Sequence, residues 1–119
     1  MSKVNASMNV RKADSNTFIL DIHGEVNAFA ENVLMDAYTQ ASSAGAQNLL
    51  LNFEGLEYMN SSGIGLLVTL LIRANRQKQR LAAYGLSDHY QQIFKLTRLN
   101  EAIAIFTDEA SALAGLGSK

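Results

Sequence analysis

Two adjacent hydroxyls, Ser61 and Ser62, stand between Asn60 and Gly63 at the border of two apolar runs. Upstream, residues 48–53 have the length and composition of a strand; downstream, residues 64–72 are apolar at nearly every position. Asn and Ser favour helix starts because their side-chain oxygens accept hydrogen bonds from the amides a first turn leaves unpaired. The spacing therefore sets both hydroxyls where a strand hands over to a buried helix, at the positive end of its dipole. A hydroxyl so placed is a cap, an anion contact, or a group that another protein modifies. Chemistry of the chain's own finds little in the sequence. His23 and His89 have no metal-ligating residue three or four positions on, so neither starts a helical metal motif. The Gly-x-Ser-x-Gly elbow of a serine hydrolase is absent, since residues 60–64 lack its leading glycine. No Gly-x-x-x-x-Gly-Lys-Ser/Thr phosphate loop occurs, which leaves weak anion or nucleotide binding at the helix start.

Composition narrows the classes further. A chain of 119 residues is expected to form one domain with a single core, about residues 8–114, needing no metal or disulfide staple. With no cysteine, nothing argues for thiol catalysis, a thiolate metal site or a disulfide framework, as expected of a cytoplasmic protein. The N-terminus does not read as a secretory signal. The longest apolar run, residues 64–72, is about half the roughly 20 residues of a spanning helix, so no membrane insertion is expected. The net charge of −1 hides an asymmetry: residues 21–60 carry only acids, and residues 61–98 carry bases with Asp88 as the one exception. A nucleic-acid binder usually has a basic excess over its whole domain with aromatics interleaved, so no nucleic-acid partner is expected. The basic segment reads as a helix end complementing its dipole, or as a charged docking face.

The elements that must position the two serines follow from periodicity. Residues 8–12 alternate weakly, Asp14-Ser-Asn16 has turn composition, and in residues 17–22 Phe18, Leu20 and Ile22 share a face, which together predict an antiparallel hairpin closed by Gly24. A first helix over residues 28–44 carries Val33, Leu34, Ala37, Tyr38 and Ala41 on one stripe and stops at Gly45. Residues 48–53 read as a central strand covered on both faces, after which Glu54-Gly55 turns the chain. The second helix, residues 62–79, is apolar around most of its first half, so it packs on several sides or keeps an apolar strip for a partner. A strand at residues 81–84 ends at Gly85, Ser87-Asp88 caps a third helix, residues 102–106 form the last strand, and a short helix from residue 107 ends near Gly115. The order β-β-α-β-α-β-α-β-α implies an α/β fold with a mixed sheet of four to five strands and about four helices.

Four segments in this order resemble the STAS domain of bacterial anti-sigma factor antagonists. Leu20-Asp-Ile-His-Gly-Glu-Val-Asn27 is similar to the family's strand ending in Gly-Glu-Leu-Asp. Residues 49–59 are similar to the strand and turn before its signature, and Asn60-Ser-Ser-Gly-Ile-Gly-Leu66 to the signature Asp-Ser-Ser/Thr-Gly-Leu-Gly. Residues 86–99 are similar to its late helix. The resemblance implies the STAS fold over the whole chain and phosphorylation at Ser61, with Glu25, Asn27, Asn60, Ser62, Gly63 and Ile64 as partner-binding positions. It implies no cofactor and no catalytic residue. The implied partners are an anti-sigma factor with serine kinase activity, of the histidine-kinase-like ATPase fold, and a PP2C-type phosphatase. In such a switch the unmodified antagonist sequesters the anti-sigma factor and frees the sigma factor. Asn60 and Asn27 stand where the family carries acids. Two other readings fit the same residues: a STAS subunit of a lipid or anion transport complex, and a small nucleotide-binding module.

Overall fold

The computed structural model of the chain describes residues 5–117. The strands are β1 (Ala6–Lys12), β2 (Thr17–Val26), β3 (Asn48–Met59), β4 (Arg80–Tyr84) and β5 (Ala104–Phe106). The helices are α1 (Glu31–Ser43), α2 (Ser61–Arg76), α3 (Asp88–Leu96) and α4 (Glu109–Gly117), and 3-10 turns occupy Ala28–Ala30 and Leu99–Glu101. The expected alternation of strands and helices is present. The strands form one mixed sheet in the order β1-β2-β3-β4-β5, with β1 antiparallel to β2 and the other neighbours parallel. The first hairpin turns where the Asp14 carboxylate accepts from the amides of Asn16 and Thr17, both at 2.9 Å.

The near-continuous apolar character of β3 follows from its place at the centre of the sheet. Successive side chains point to opposite faces. Leu49, Leu51 and Phe53 pack with Leu34, Tyr38, Leu67, Leu70 and Phe94 of α1, α2 and α3. Leu50 belongs to a second cluster with Ile19, Ala82, Tyr84 and α4's Ala112 and Leu116. Three helices thus cover one face and α4 covers the other, as a strand buried on both sides requires.

That second face carries a polar brace the sequence did not disclose. Asp21, Asn52 and Tyr84 are register partners across β2, β3 and β4. Arg11 donates to both Asp21 oxygens at 2.6 and 2.9 Å and to Glu109 of α4 at 3.0 Å. Asn52 donates to Asp21 at 2.8 Å, and the Tyr84 hydroxyl donates to Glu109 at 3.0 Å. The hydrogen bonds from Arg11 hold the Asp21 and Glu109 carboxyls below the usual carboxylate range, while burial, and then its bond to Glu109, push the Tyr84 phenol up. α4 is fixed to the sheet by these bonds as well as by its apolar contacts.

Several boundaries differ from the periodicity, each for a physical reason. β2 and β3 do not stop at Gly24 and Glu54-Gly55; they remain paired to Val26↔Met59 through two register irregularities, with Gly24 at φ +87°. The strands end only where the junction with α2 begins. The first helix is preceded by a separate 3-10 turn, and its stripe includes Met35 while Val33 is only half-buried. α2 ends at Arg76, and the left-handed turn beyond it falls on Lys78 (φ 58°), with no glycine there. Gln79 instead enters the core, accepting from the Tyr38 hydroxyl at 2.9 Å and donating to the Ala46 carbonyl at 3.0 Å. The last strand begins at Ala104 because residues 99–101 take up a 3-10 turn, and Gly115 lies inside α4 instead of ending it. The expected frayed start, residues 1–7, and the tail after residue 117 fall largely outside the described residues; from Ala6 the chain is already in β1.

Candidate functional site

The ends of β2 and β3 and the start of α2 meet at one point. Val26 and Met59 are the last paired residues of their strands. The Asn60 amide donates to the Val26 carbonyl at 3.3 Å, which carries the ladder one residue further before the helix begins. The helix can start this close because Gly63 has no side chain. A Cβ there would overlap the Val26 carbonyl oxygen and lie 2.7 Å from the Met59 side chain. From the other side the Tyr90 hydroxyl of α3 accepts from the Met59 amide at 2.8 Å. The junction is held by the backbone ends of β2 and β3 and by the Tyr90 side chain of α3.

Asn60 is the cap of α2. Its side-chain oxygen accepts from the Gly63 amide at 2.9 Å, and its carbonyl accepts from Ile64 at 3.1 Å. Ser61 and Ser62 are therefore the first two helical residues, which corrects the expectation that a serine shares the capping. Both are exposed, and neither their hydroxyls nor their amides have a partner among the described residues. Two free amides thus point out of the positive end of a sixteen-residue helix beside two free hydroxyls. Gly63 is buried and Ile64 half-buried, so these two positions build the junction and contribute less to its surface.

The remaining predicted positions lie on the neighbouring strand end. Glu25 is half-buried and pairs in register with Tyr58. Asn27 caps the 3-10 turn that follows, its side chain accepting from the Phe29 amide at 2.9 Å. The turn in turn packs against α2. All seven predicted positions thus come from two segments, residues 25–27 and 60–64, joined through Val26. Periodicity does not point to Phe29 and Tyr58, two aromatic side chains in the same two segments that stand 57% and 54% exposed. Phe29 sits in a 3-10 turn and Tyr58 in the part of β3 beyond its register irregularities, where simple alternation no longer marks a face.

The chemistry available at this point is that of an acceptor. Among the described residues no histidine or carboxylate bonds to Ser61 or Ser62, so none of them is placed to activate either hydroxyl as a base. His23 lies against Gly55, and His89 packs edge-on against Tyr90 with ring centroids 4.8 Å apart. Among the described residues no cluster of three or more His, Asp or Glu side chains could hold a metal, and no helix is long and apolar enough to cross a membrane. A surface cleft of about 590 Å³ is lined by Asp88, Gln91, Gln92, Lys95, Asn100 and Ile105; none of these belongs to the α2 junction. Of the seven predicted positions only Glu25 carries a charge.

Comparison with known proteins gives the same fold and the same family. The anti-sigma-B factor antagonist of Staphylococcus aureus is 25% identical over 100 residues, covering 83% of this chain and 93% of that protein. A crystal structure of an anti-sigma factor antagonist from Mycobacterium paratuberculosis superposes with a TM-score of 0.80 at 14% identity, over 93% of each chain. The Bacillus cell fate determinant SpoIIAA in its phosphorylated form superposes with a TM-score of 0.72 at 20% identity, over 93% of this chain and all of that one (100%). A family model for the STAS domain matches residues 7–112. With the mixed sheet, the helix order and the Asn-Ser-Ser-Gly junction in place, that match makes the chain a member of the STAS domain family.

Proposed function

We propose that this chain is an anti-sigma factor antagonist, a regulatory binding protein and not an enzyme, switched by phosphorylation of Ser61. The observation that carries the reading is the exposed Ser61 at the first position of α2, its hydroxyl without a partner among the described residues, on a junction packed closely enough that only glycine fits at position 63. The names of the relatives support the same role. The partner is an anti-sigma factor that is also a serine kinase of the histidine-kinase-like ATPase fold. It binds ATP and supplies the base this chain lacks. In the transfer, a bond forms between Ser61 Oγ and the γ-phosphorus, the bond from that phosphorus to the bridging oxygen breaks, ADP departs, and the hydroxyl proton passes to the kinase. A PP2C-type phosphatase reverses the change by hydrolysis. The whole chain acts as one STAS domain in the cytoplasm, with Glu25, Asn27, Asn60, Ser62, Gly63 and Ile64 within or beneath the partner's footprint, without cofactor or nucleic acid.

The physical effect of the phosphate is on docking and not on folding. It adds about −1.5 to −2 charges at neutral pH. Here the free amides of Ser61 and Ser62 and the helix dipole receive it, worth up to about 2 kcal/mol of favourable interaction. Desolvating the same phosphate beneath an unmodified partner costs several kcal/mol, and about 2.8 kcal/mol is already a hundredfold in affinity. The neutral Asn60 and Asn27 support a second reading, in which the same helix end docks on the ATPase of a lipid or anion transport complex without being phosphorylated.

Incubation with labelled ATP, alone and with a candidate kinase, separates the readings. Labelling that needs the kinase and vanishes in Ser61→Ala supports the switch, and Ser61→Asp then weakens the complex with that kinase. Turnover by the chain alone would support a nucleotide-binding module. Equal labelling of wild type and Ser61→Ala would remove Ser61 from the mechanism, and no labelling with any kinase would favour the transport subunit.

A further inference from the structure

The charge asymmetry along the sequence becomes a spatial one in the fold. β2, β3, β4 and β5 run in one direction, so their first residues share one end of the molecule and the Ser61 junction lies at the other. β1 runs the opposite way and finishes at the first end. α2 and α3 finish there too, because each leads from the close of one parallel strand to the start of the next. Backbone bonds lace this end together: the Asn16 carbonyl accepts from the Gln47 and Asn48 amides, and the Gln47 carbonyl accepts from Arg80. Lys12, Arg76, Lys78, Arg80, Lys95 and Arg98 are placed at it, all exposed and none in an ion pair among the described residues. The acids beside them are Asp14, whose carboxylate serves the β1–β2 turn, and Glu101. Glu25, Glu54, Glu57 and Asp88 stand at the Ser61 end.

Helix ends account for only part of this. Arg76 and Lys95 are in the last turns of α2 and α3, where a cation complements the dipole. Lys78 and Arg98 are different. At φ 58° and 64° they are the only non-glycine residues with positive φ among the described residues. Each is the second residue past its helix, the position where glycine is easiest. That both carry a long cation there, against the backbone preference, points to a use for the charge. Leu96 stands between Lys95 and Arg98 and is 82% exposed, the most of any large apolar side chain described. The two clefts of this end, about 490 and 280 Å³, have Arg80 as their only cation. The charge is therefore spread over a broad surface and not gathered in a pocket for one anion.

We infer that this cationic end docks peripherally on an anionic phospholipid surface, with Leu96 entering the headgroup layer and Ser61 directed away from it. Clusters of about four to eight Lys and Arg side chains are what such surfaces recruit. A leucine flanked by cations suits a bilayer, which offers apolar depth beside phosphates. No aromatic side chain is exposed at this end to stack on a base, which argues against a nucleic acid. The net charge of −1 does not oppose the docking. About 22 Å of α2 separates Ser61 from Arg76, more than twice the roughly 8 Å over which physiological salt screens a charge. The bilayer therefore feels the near end, and the acids of the far end act only to orient the molecule. None of this depends on the phosphorylation of Ser61.

The test is co-flotation of the full chain with phosphatidylcholine vesicles, with and without phosphatidylglycerol, at low and high salt, with thermal unfolding followed for each variant. Wild type is expected to bind only the vesicles that contain phosphatidylglycerol and to be released by salt. Lys78→Gly/Arg98→Gly is expected to weaken binding about tenfold or more with Tm unchanged or higher, since glycine relieves the left-handed turns. Lys12→Gln/Lys95→Gln repeats the loss at positions of ordinary backbone, and Leu96→Ser weakens binding several-fold. The chain has no cysteine, so a polarity-sensitive dye on Leu96→Cys should shift to the blue on binding while the same dye on Glu57→Cys does not. Absence of binding to phosphatidylglycerol at low salt overturns the inference, and so does binding that both charge variants leave unchanged. Equal affinity for polyglutamate or duplex DNA, indifferent to Leu96→Ser, overturns the lipid surface and makes this end a general anion contact. An equal blue shift at position 57 overturns the orientation. Labelling of Ser61 enters none of these readouts, so failure here leaves the proposed switch standing, and failure of the switch leaves this docking standing.

Discussion

The brace under α4 and the junction at the start of α2 are both polar, and they are built in opposite ways. Under α4 each group is partnered: Arg11 holds Asp21 and Glu109, Asn52 completes Asp21, and Tyr84 completes Glu109. At the junction the Ser61 and Ser62 hydroxyls and amides have no partner among the described residues, and the side chains bonded there, Asn60 and Tyr90, serve the cap and the end of β3. The displaced titrations among the described residues mostly gather in the brace, on Arg11, Asp21, Glu109 and Tyr84. Perturbed ionisation is often a guide to function. Here it marks the group that fastens a helix. A phosphate acceptor has different needs, namely free donors, few neighbouring anions and a rigid seat.

The largest expected effect tests the rigid seat. Gly63→Ala drives a methyl group into the Val26 carbonyl and against Met59, and the first of these is backbone that cannot swing aside. Overpacking of this kind costs about 3 kcal/mol, at the upper end of its usual range. Urea unfolding should show that loss. A Gly63→Ala protein as stable as wild type would mean that the junction yields, and the contrast with the brace would fail.

The brace comes next. Asp21 is 8% exposed and Arg11's side chain is 44% exposed, so Asp21→Ala leaves a cation that water can still reach. The expected loss is about 1–2 kcal/mol, between the values for surface and buried pairs, with labelling at Ser61 unchanged. The pH dependence has a definite sign. The carboxyls of Asp21 and Glu109 are lowered in the fold, so their contribution is present above the ordinary carboxylate value near 4 and is lost as pH falls through the lowered native values. The phenol of Tyr84 is raised, so its contribution is present below the ordinary value near 10 and is lost as pH climbs beyond it. Unfolding midpoints taken from pH 5 down to pH 2 should fall less steeply in Asp21→Asn than in wild type.

The two regions also differ in how far the sequence discloses them. Residues 60–63 announce a helix start because Asn, Ser and Gly act there through bonds that span three residues, and residues 49–51 announce a strand buried on both sides because three successive leucines have no solvent face. The brace gives no such signal: Arg11 and Glu109 are 98 residues apart and meet only when the sheet is complete. Gly24 and Gly55 look like strand ends, since glycine ordinarily weakens a strand, yet neither ends one here. In the fold Gly24, at positive φ, lies so close to the Asn5 carbonyl that no side chain fits, Gly55 lies under the His23 ring, which would have to shift to admit one, and the ladder runs on past both. Gly63 belongs with them. Its local role as the capped residue was visible, while its contact with Val26 was not.

The smallest expected change in stability is the most informative about the acceptor. Removing the cap with Asn60→Ala strands the Gly63 amide and should cost about 1 kcal/mol. Removing the neighbouring hydroxyl with Ser61→Ala strands nothing, because the Ser61 hydroxyl has no partner among the described residues, and an exposed substitution of this kind stays within about 0.5 kcal/mol. On grounds of folding, then, Asn60 is the residue that matters and Ser61 is dispensable. The proposed function reverses that ranking, since Ser61→Ala abolishes phosphate incorporation while Asn60→Ala, once folded, still offers the hydroxyl. Measuring both quantities on both variants separates a hydroxyl retained for the fold from one kept free for a partner. If Ser61→Ala lost as much stability as Asn60→Ala, the serine would be part of the cap, and its openness to a kinase would no longer follow.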